Sequence, residues 1–150
     1  MNAVVSTITQ LLPAEIITTD PEQITLYSQD VFTVGPPICA VVRPRNIDEV
    51  QALVRACLER GTPIVTRGGG MSYTSGYIAS APDSVLIDMA SMDAIVEVNL
   101  EDRYVTVEAG CSWQKLHEHL APLGVRTAYW GTLSGRCLLY TSDAADEVDG

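Results

Sequence analysis

The sequence predicts an α+β chain of the α/β kind, in which a small parallel β-α-β unit is followed by an antiparallel sheet. Three observations predict it. An apolar run, a capped helical stripe and a second apolar run succeed one another between Cys39 and Val65. The rhythm then changes to two short strands joined by a polar turn, between Ala94 and Glu108. Finally, 150 residues with 47% hydrophobic and 19% charged positions describe a folded chain long enough to bury a core.

The elements follow in order. Val4, Val5, Ile8, Leu11 and Leu12 recur at helical spacing, and Pro13 ends the run. Asp20-Pro21 starts a second short helix, with Asp20 as N-cap and proline at the first helical position. Gly35-Pro36-Pro37 is a rigid, non-helical connector. Residues 1–37 therefore read as an N-terminal helical segment before a domain at 38–135. Cys39 to Val42 is a buried strand stopped by Pro44. Asn46 caps a helix, with Glu49 placed as in a capping box. Val50, Leu53, Val54, Cys57 and Leu58 form its apolar stripe, and Gly61 is its C-terminal stop. Pro63-Ile64-Val65 is the next strand, and a crossover of this length favours parallel pairing with a right-handed connection. Val85 to Asp88 is another short strand. Ala94–Val98 and Tyr104–Glu108 form a hairpin around Asn99-Leu100-Glu101-Asp102-Arg103. Gly110 breaks that strand. Ser112 or Cys111 then caps a helix through Trp113, Leu116 and Leu120, ended by Pro122 and Gly124.

One loop stands out. Ile64-Val65 runs through Thr66 and Arg67 straight into Gly68, Gly69 and Gly70, followed by Met71, Ser72, Tyr73, Thr74, Ser75 and Gly76. Glycine tolerates positive φ and has no Cβ, so three in a row let the backbone turn sharply. Successive N–H groups aimed into one concavity make an anion-binding nest, to which hydroxyls add donors. A pyrophosphate suits such a loop best. A flexible turn is the plainer reading. Position adds weight to the first, because open α/β sheets bind ligands at the carboxyl ends of their parallel strands. The Gly-x-Gly-x-x-Gly spacing of a nicotinamide-binding Rossmann domain after its first strand is absent.

Charge and composition exclude other classes. A net charge of −10 argues against a nucleic-acid partner, which needs Lys and Arg to displace counterions. No apolar run approaches the ~20 residues of a transmembrane helix. Met1 to Leu12 lacks the basic start and cleavage site of a secretory signal. Cys39, Cys57, Cys111 and Cys137 form no Cys-x-x-Cys pair and no metal-ligand spacing, so reduced thiols in a cytoplasmic protein are expected.

Arg43-Pro44, the glycine loop, Asp88 and Val107-Glu108-Ala109-Gly110, in that order, resemble the N-terminal half of the flavin-binding domain of the vanillyl-alcohol oxidase and p-cresol methylhydroxylase family. The similarity covers Leu26 to Gly135. It implies two α/β subdomains, one with parallel strands and one with an antiparallel sheet, and FAD between them. It implies cofactor binding by Thr66, Arg67, Gly68, Gly69, Gly70, Met71, Ser72, Tyr73 and Gly76, mainly through backbone groups on the pyrophosphate. It also sets the second loop, Gly131, Thr132, Ser134 and Gly135, along the cofactor. Met71 stands where many family members carry a histidine bonded to the flavin, which implies non-covalent FAD at this segment. The catalytic residues and the contacts to a small-molecule substrate are expected beyond Gly135, with a second glycine-rich segment and the rest of the antiparallel sheet.

Other residues keep two readings. Arg67 faces phosphate or is solvated. Tyr129 and Trp130 pack on the flavin or fill core. His117 and His119 point to different faces of one helix, so a solvated helix is favoured over a metal pair. Cys111 lies near a helix start, where thiol pKa can fall, but a buried structural thiol is favoured. From Cys137 the chain reads Cys-Leu-Leu-Tyr-Thr-Ser-Asp-Ala-Ala-Asp-Glu, which resembles a translated transposase sequencing adapter. Residues 136–150 are therefore expected to be an artefactual tail and the flavin domain to be truncated. Function is expected to be hydride transfer from a small alcohol or 2-hydroxy acid to FAD in the complete protein. A non-enzymatic nucleotide-binding module and a non-functional fragment are the alternatives.

Overall fold

The computed structural model describes residues 2–72 and 74–128. Expectations about Tyr73, the Gly131–Gly135 loop, Tyr129, Trp130 and the tail at 136–150 lie outside these residues.

Helix α1 (Ala3–Leu11) is capped by Asn2, whose side chain accepts from the Val4 N–H. A short turn leads to strand β1 (Ile17–Thr18). Helix α2 (Pro21–Tyr27) starts at Asp20, which accepts from the Gln23 N–H at 3.0 Å. Strand β2 (Ala40–Val42) and helix α3 (Ile47–Glu59) follow. Asn46 accepts from the Glu49 N–H at 2.9 Å, as a cap should. The Glu49 carboxylate reaches back one residue further than a capping box requires, to the Arg45 N–H at 2.7 Å. The helix ends in a Schellman motif: Thr62 N–H donates to Cys57 O, Gly61 N–H to Leu58 O, and Gly61 takes φ +62. Strands β3 (Ile64–Arg67) and β4 (Val85–Asp88) complete the first sheet.

That sheet has the order β1-β2-β4-β3. Strands β2, β4 and β3 are parallel, as the crossover implied, and β1 adds an antiparallel edge. The crossover strands β2 and β3 are not neighbours, however, because β4 inserts between them and pairs with both. Residues 1–37 are also more than a helical preface. β1 pairs with β2, and Val4, Val5 and Ile8 of α1 join Leu53, Ala56 and Cys57 of α3 in one core on the face formed by Ala40, Val42, Val85 and Ile87. The opposite face, Val41 and Leu86, packs on Ile24 and Tyr27 of α2 with Ile38 and Ala79. Leu58, expected in the apolar stripe, is 70% exposed, and Ala56 takes its place.

Strands β5 (Ile95–Asn99) and β6 (Tyr104–Val107) form the antiparallel hairpin. Asn99 pairs with Tyr104, so the loop is one residue shorter than expected, and a bulge lies between Ile95 and Glu97. Helix α4 (Trp113–Leu120), capped by Ser112, lays Leu116 and Leu120 on Ile95, Val98, Val105 and Val107. The two sheets join where Gly110 meets the turn after β4. Gly110 N–H donates to Met92 O at 2.6 Å, and a Cβ there would overlap the Met89 and Met92 carbonyl oxygens.

Candidate functional site

β3 delivers its carboxyl end directly into the glycine loop. Thr66 is exposed, opposite Ile87 on β4, and Arg67 lies opposite Asp88. Gly68 is buried, and Gly69, Gly70, Met71 and Ser72 are half-buried. Gly70 takes φ +73, a left-handed conformation that strains any other residue, so the turn falls at the third glycine. Among the described residues, none accepts a hydrogen bond from the N–H of Gly69, Gly70 or Met71.

The far end of the loop is tied down. Ser72 Oγ accepts from Gly76 N–H at 2.9 Å and from Thr74 N–H at 3.3 Å. Gly76 thus spends its N–H on the loop itself and contributes shape. Asp30 clamps the residue before it: Oδ2 accepts from Ser75 N–H at 3.0 Å, while Oδ1 accepts from Phe32 and Thr33 N–H at 2.9 and 2.7 Å. Those backbone bonds, that from Phe32 foremost, hold the Asp30 carboxyl below the usual carboxylate range. Ser75 is held at φ +59, and its hydroxyl meets Thr33 Oγ1 at 3.0 Å.

Arg67 is half-buried. Its guanidinium lies between two tyrosine rings, 4.6 Å from the Tyr27 centroid and 5.3 Å from that of Tyr77. Its buried Nε has no hydrogen-bond partner among the described residues. A Cβ on Gly70 would overlap Nη2, so the cation sits directly against the glycine backbone. Tyr77 donates its hydroxyl to the Gly70 carbonyl at 3.1 Å, tying the cage to the loop.

Beside it lies a buried polar cluster. Asp88 is 1% exposed. Its Oδ2 accepts from Tyr27 OH at 2.9 Å and from Arg43 Nε and Nη2 at 3.0 and 2.7 Å; Oδ1 accepts from Ala90 N–H at 3.1 Å. Arg43 Nη2 also donates to Tyr27 OH. The hydrogen bond to Asp88 raises the Arg43 pKa further, so the group stays charged. Burial, then the Asp88 charge, raises the Tyr27 pKa, so the phenol stays protonated.

The FAD binding domain family matches residues 38–137. The chain belongs to this family. The mitochondrial D-lactate dehydrogenase (cytochrome) of Arabidopsis thaliana is 36% identical over 85 residues, which are 57% of this chain and 15% of that protein. Among solved structures, p-cresol methylhydroxylase with substrate bound is similar at TM-score 0.68 and 24% identity, over 81% of this chain and 24% of that one. An alkyldihydroxyacetonephosphate synthase is similar at TM-score 0.79 and 17% identity, over 91% and 30%. These likenesses establish the fold, and they bear out the resemblance carried by the glycine loop and its flanking motifs. The FAD-binding domain described here therefore takes FAD and is of the kind carried by FAD-linked oxidoreductases, of whose length it spans a minor part.

Met71 is half-buried. His117 and His119 are both exposed, and no group of metal-ligating residues occurs among the described residues. Cys111 is fully buried, and burial pushes its thiol pKa up, the reverse of an activated helix-start cysteine. No helix among the described residues is long and apolar enough to cross a membrane.

The sequence reading missed Tyr27, Asp30 and Tyr77 as supports of the loop. It named Arg43 and Asp88 only as motif positions. Both are charged residues that end apolar strand runs, and that signal alone could have paired them across β2 and β4.

Proposed function

We propose that the complete protein is an oxidoreductase that oxidises a small 2-hydroxy acid or alcohol, and that this domain holds its FAD by the pyrophosphate. The loop residues are Thr66, Arg67, Gly68, Gly69, Gly70, Met71, Ser72 and Tyr73, shaped by Gly76, with Gly131, Thr132, Ser134 and Gly135 as a second flank. The observation that carries the reading is that no described residue accepts from the backbone N–H groups of Gly69, Gly70 and Met71, at the carboxyl end of a parallel strand, and that the half-buried Arg67 guanidinium lies against Gly70. Such a nest suits a diphosphate and offers nothing to an apolar group. FAD, when bound, supplies the acceptor for a hydride from the substrate.

The substrate class follows the name of the Arabidopsis relative, a D-lactate dehydrogenase. Met71 has no nucleophilic nitrogen, so this segment holds FAD without a covalent bond. The complete protein should keep a yellow flavin band after desalting and release it on acid precipitation. Titration with FAD and with other nucleotides separates a flavoenzyme from a general nucleotide-binding module. A Gly70→Val protein should lose the cofactor, since a branched side chain is strained at φ +73 and displaces Arg67. A colourless protein that fails to bind added FAD would refute the proposal.

A further inference from the structure

We infer that Arg67 is a fixed, unneutralised cation behind the glycine loop that sets its preference for a diphosphate, and that Tyr27, Tyr77, Arg43 and Asp88 are the positioning residues that keep it so. The inference deepens the proposed FAD-binding role and rests on it.

The carboxylate nearest in register to Arg67 is Asp88, its partner across β3 and β4. Asp88 is committed elsewhere. One oxygen is filled by Tyr27 and both donors of Arg43, the other by the Ala90 N–H. No carboxylate among the described residues forms an ion pair with Arg67. Two guanidiniums and one carboxylate leave this cluster with an excess positive charge, in a chain whose net charge is −10.

A half-buried cation without a carboxylate partner is costly unless something compensates it. Here two aromatic faces do so, in part. The stacking also fixes the charge in place. Its position against Gly70 puts the field behind the same N–H groups that would meet an anion, where low dielectric strengthens it. A loop of backbone donors alone would discriminate weakly between a phosphate-bearing ligand and a neutral one. A caged guanidinium supplies the missing discrimination, acting by charge through the loop.

The test is equilibrium titration of the complete apoprotein with FAD and with riboflavin, which has no phosphate, at several salt concentrations. FAD binding by the wild type should weaken as salt rises. Arg67→Met should weaken FAD at least roughly tenfold, as loss of a nearby charge in reduced dielectric does, and flatten the salt dependence. Its riboflavin affinity should stay at the wild-type value. Arg67→Lys should keep the salt dependence. Tyr77→Leu, which opens the cage, should move FAD affinity in the direction of Arg67→Met. Equal FAD affinity and salt dependence in wild type and Arg67→Met would overturn the inference. Equal loss of FAD and riboflavin would overturn it too, since it would mark a merely structural role. Should Arg67→Met fail to fold, Arg67→Lys and the wild type decide: a salt-independent FAD affinity in both overturns it, and a salt-dependent one supports it. A wild-type protein that binds no FAD would instead defeat the proposed function.

Discussion

Asparagine at position 88 would keep the size of the buried aspartate and remove its charge. In the native fold Oδ2 takes three donors from Tyr27 and Arg43, and Oδ1 takes the Ala90 N–H. An amide oxygen can replace Oδ2, but the amide NH2 then faces the Ala90 N–H, donor against donor. The opposite flip sets the NH2 against Arg43, which is worse. Losing the bond to Ala90, which caps a short turn, costs about 1 kcal/mol. Breaking the ion pair adds more. A fully buried pair costs about 3–5 kcal/mol to break and an exposed one at most about 1 kcal/mol. Asp88 is 1% exposed but the Arg43 side chain 48%, so solvent screens half of the pair. An intermediate value of about 1–2 kcal/mol is appropriate, and the total is about 2–3 kcal/mol. Urea unfolding of the complete protein, followed by circular dichroism, measures it. A loss below about 0.5 kcal/mol, the range of ordinary surface changes, would refute the view that this cluster supports the site.

Two further expectations concern the joint and the clamp. Gly110→Ala should cost about 3 kcal/mol, because the new Cβ meets two backbone carbonyls that cannot rotate away; Gly61→Ala, whose Cβ meets nothing, should cost only the ~1 kcal/mol of left-handed strain. Equal losses in urea melts would contradict that difference. For Asp30 the folded pKa lies below the unfolded value of 3.8, so the unfolded state binds the extra proton as pH falls. Its stabilisation is complete above the unfolded value and is lost as pH drops through the folded one. The wild type should therefore lose more melting temperature than Asp30→Asn between about pH 6 and pH 3, and equal losses would show that the clamp is not ionic.

Local chemistry was legible in the sequence, and distant pairing was not. Asn46, Asp20 and Ser112 all cap where their side chains predict, because a cap needs only residues three apart. Gly61 closes α3 for the same reason. The hairpin and the glycine loop were found because turn residues advertise themselves. The insertion of β4 between β2 and β3 was invisible, since strand order depends on contacts across dozens of residues. β1, two residues long, carries no periodicity to detect. The Tyr27 contact to Asp88 spans 61 positions, and no motif connects a tyrosine at the end of α2 with an aspartate at the end of β4. Arg67 shows the same limit: its sequence neighbours do not reveal the rings it lies against, which come from α2 and from beyond the loop.

The central place of β4 has a consequence for the order in which the chain can fold. β2 and β3 are synthesised first, yet neither has its parallel neighbour until Val85 to Asp88 arrives. A nascent chain that has emerged only as far as Tyr77 holds every glycine of the first loop but not β4, the strand that β3 pairs with. Arg43 likewise waits for Asp88, a separation of 45 residues. Closing such distant pairs spends chain entropy before any packing repays it, so the parallel sheet should be the slow step and the hairpin with α4 the fast one. Until that step is complete, Ile64 and Val65 have no neighbouring strand, and the nascent domain is most exposed to aggregation just before its loop becomes able to hold an anion.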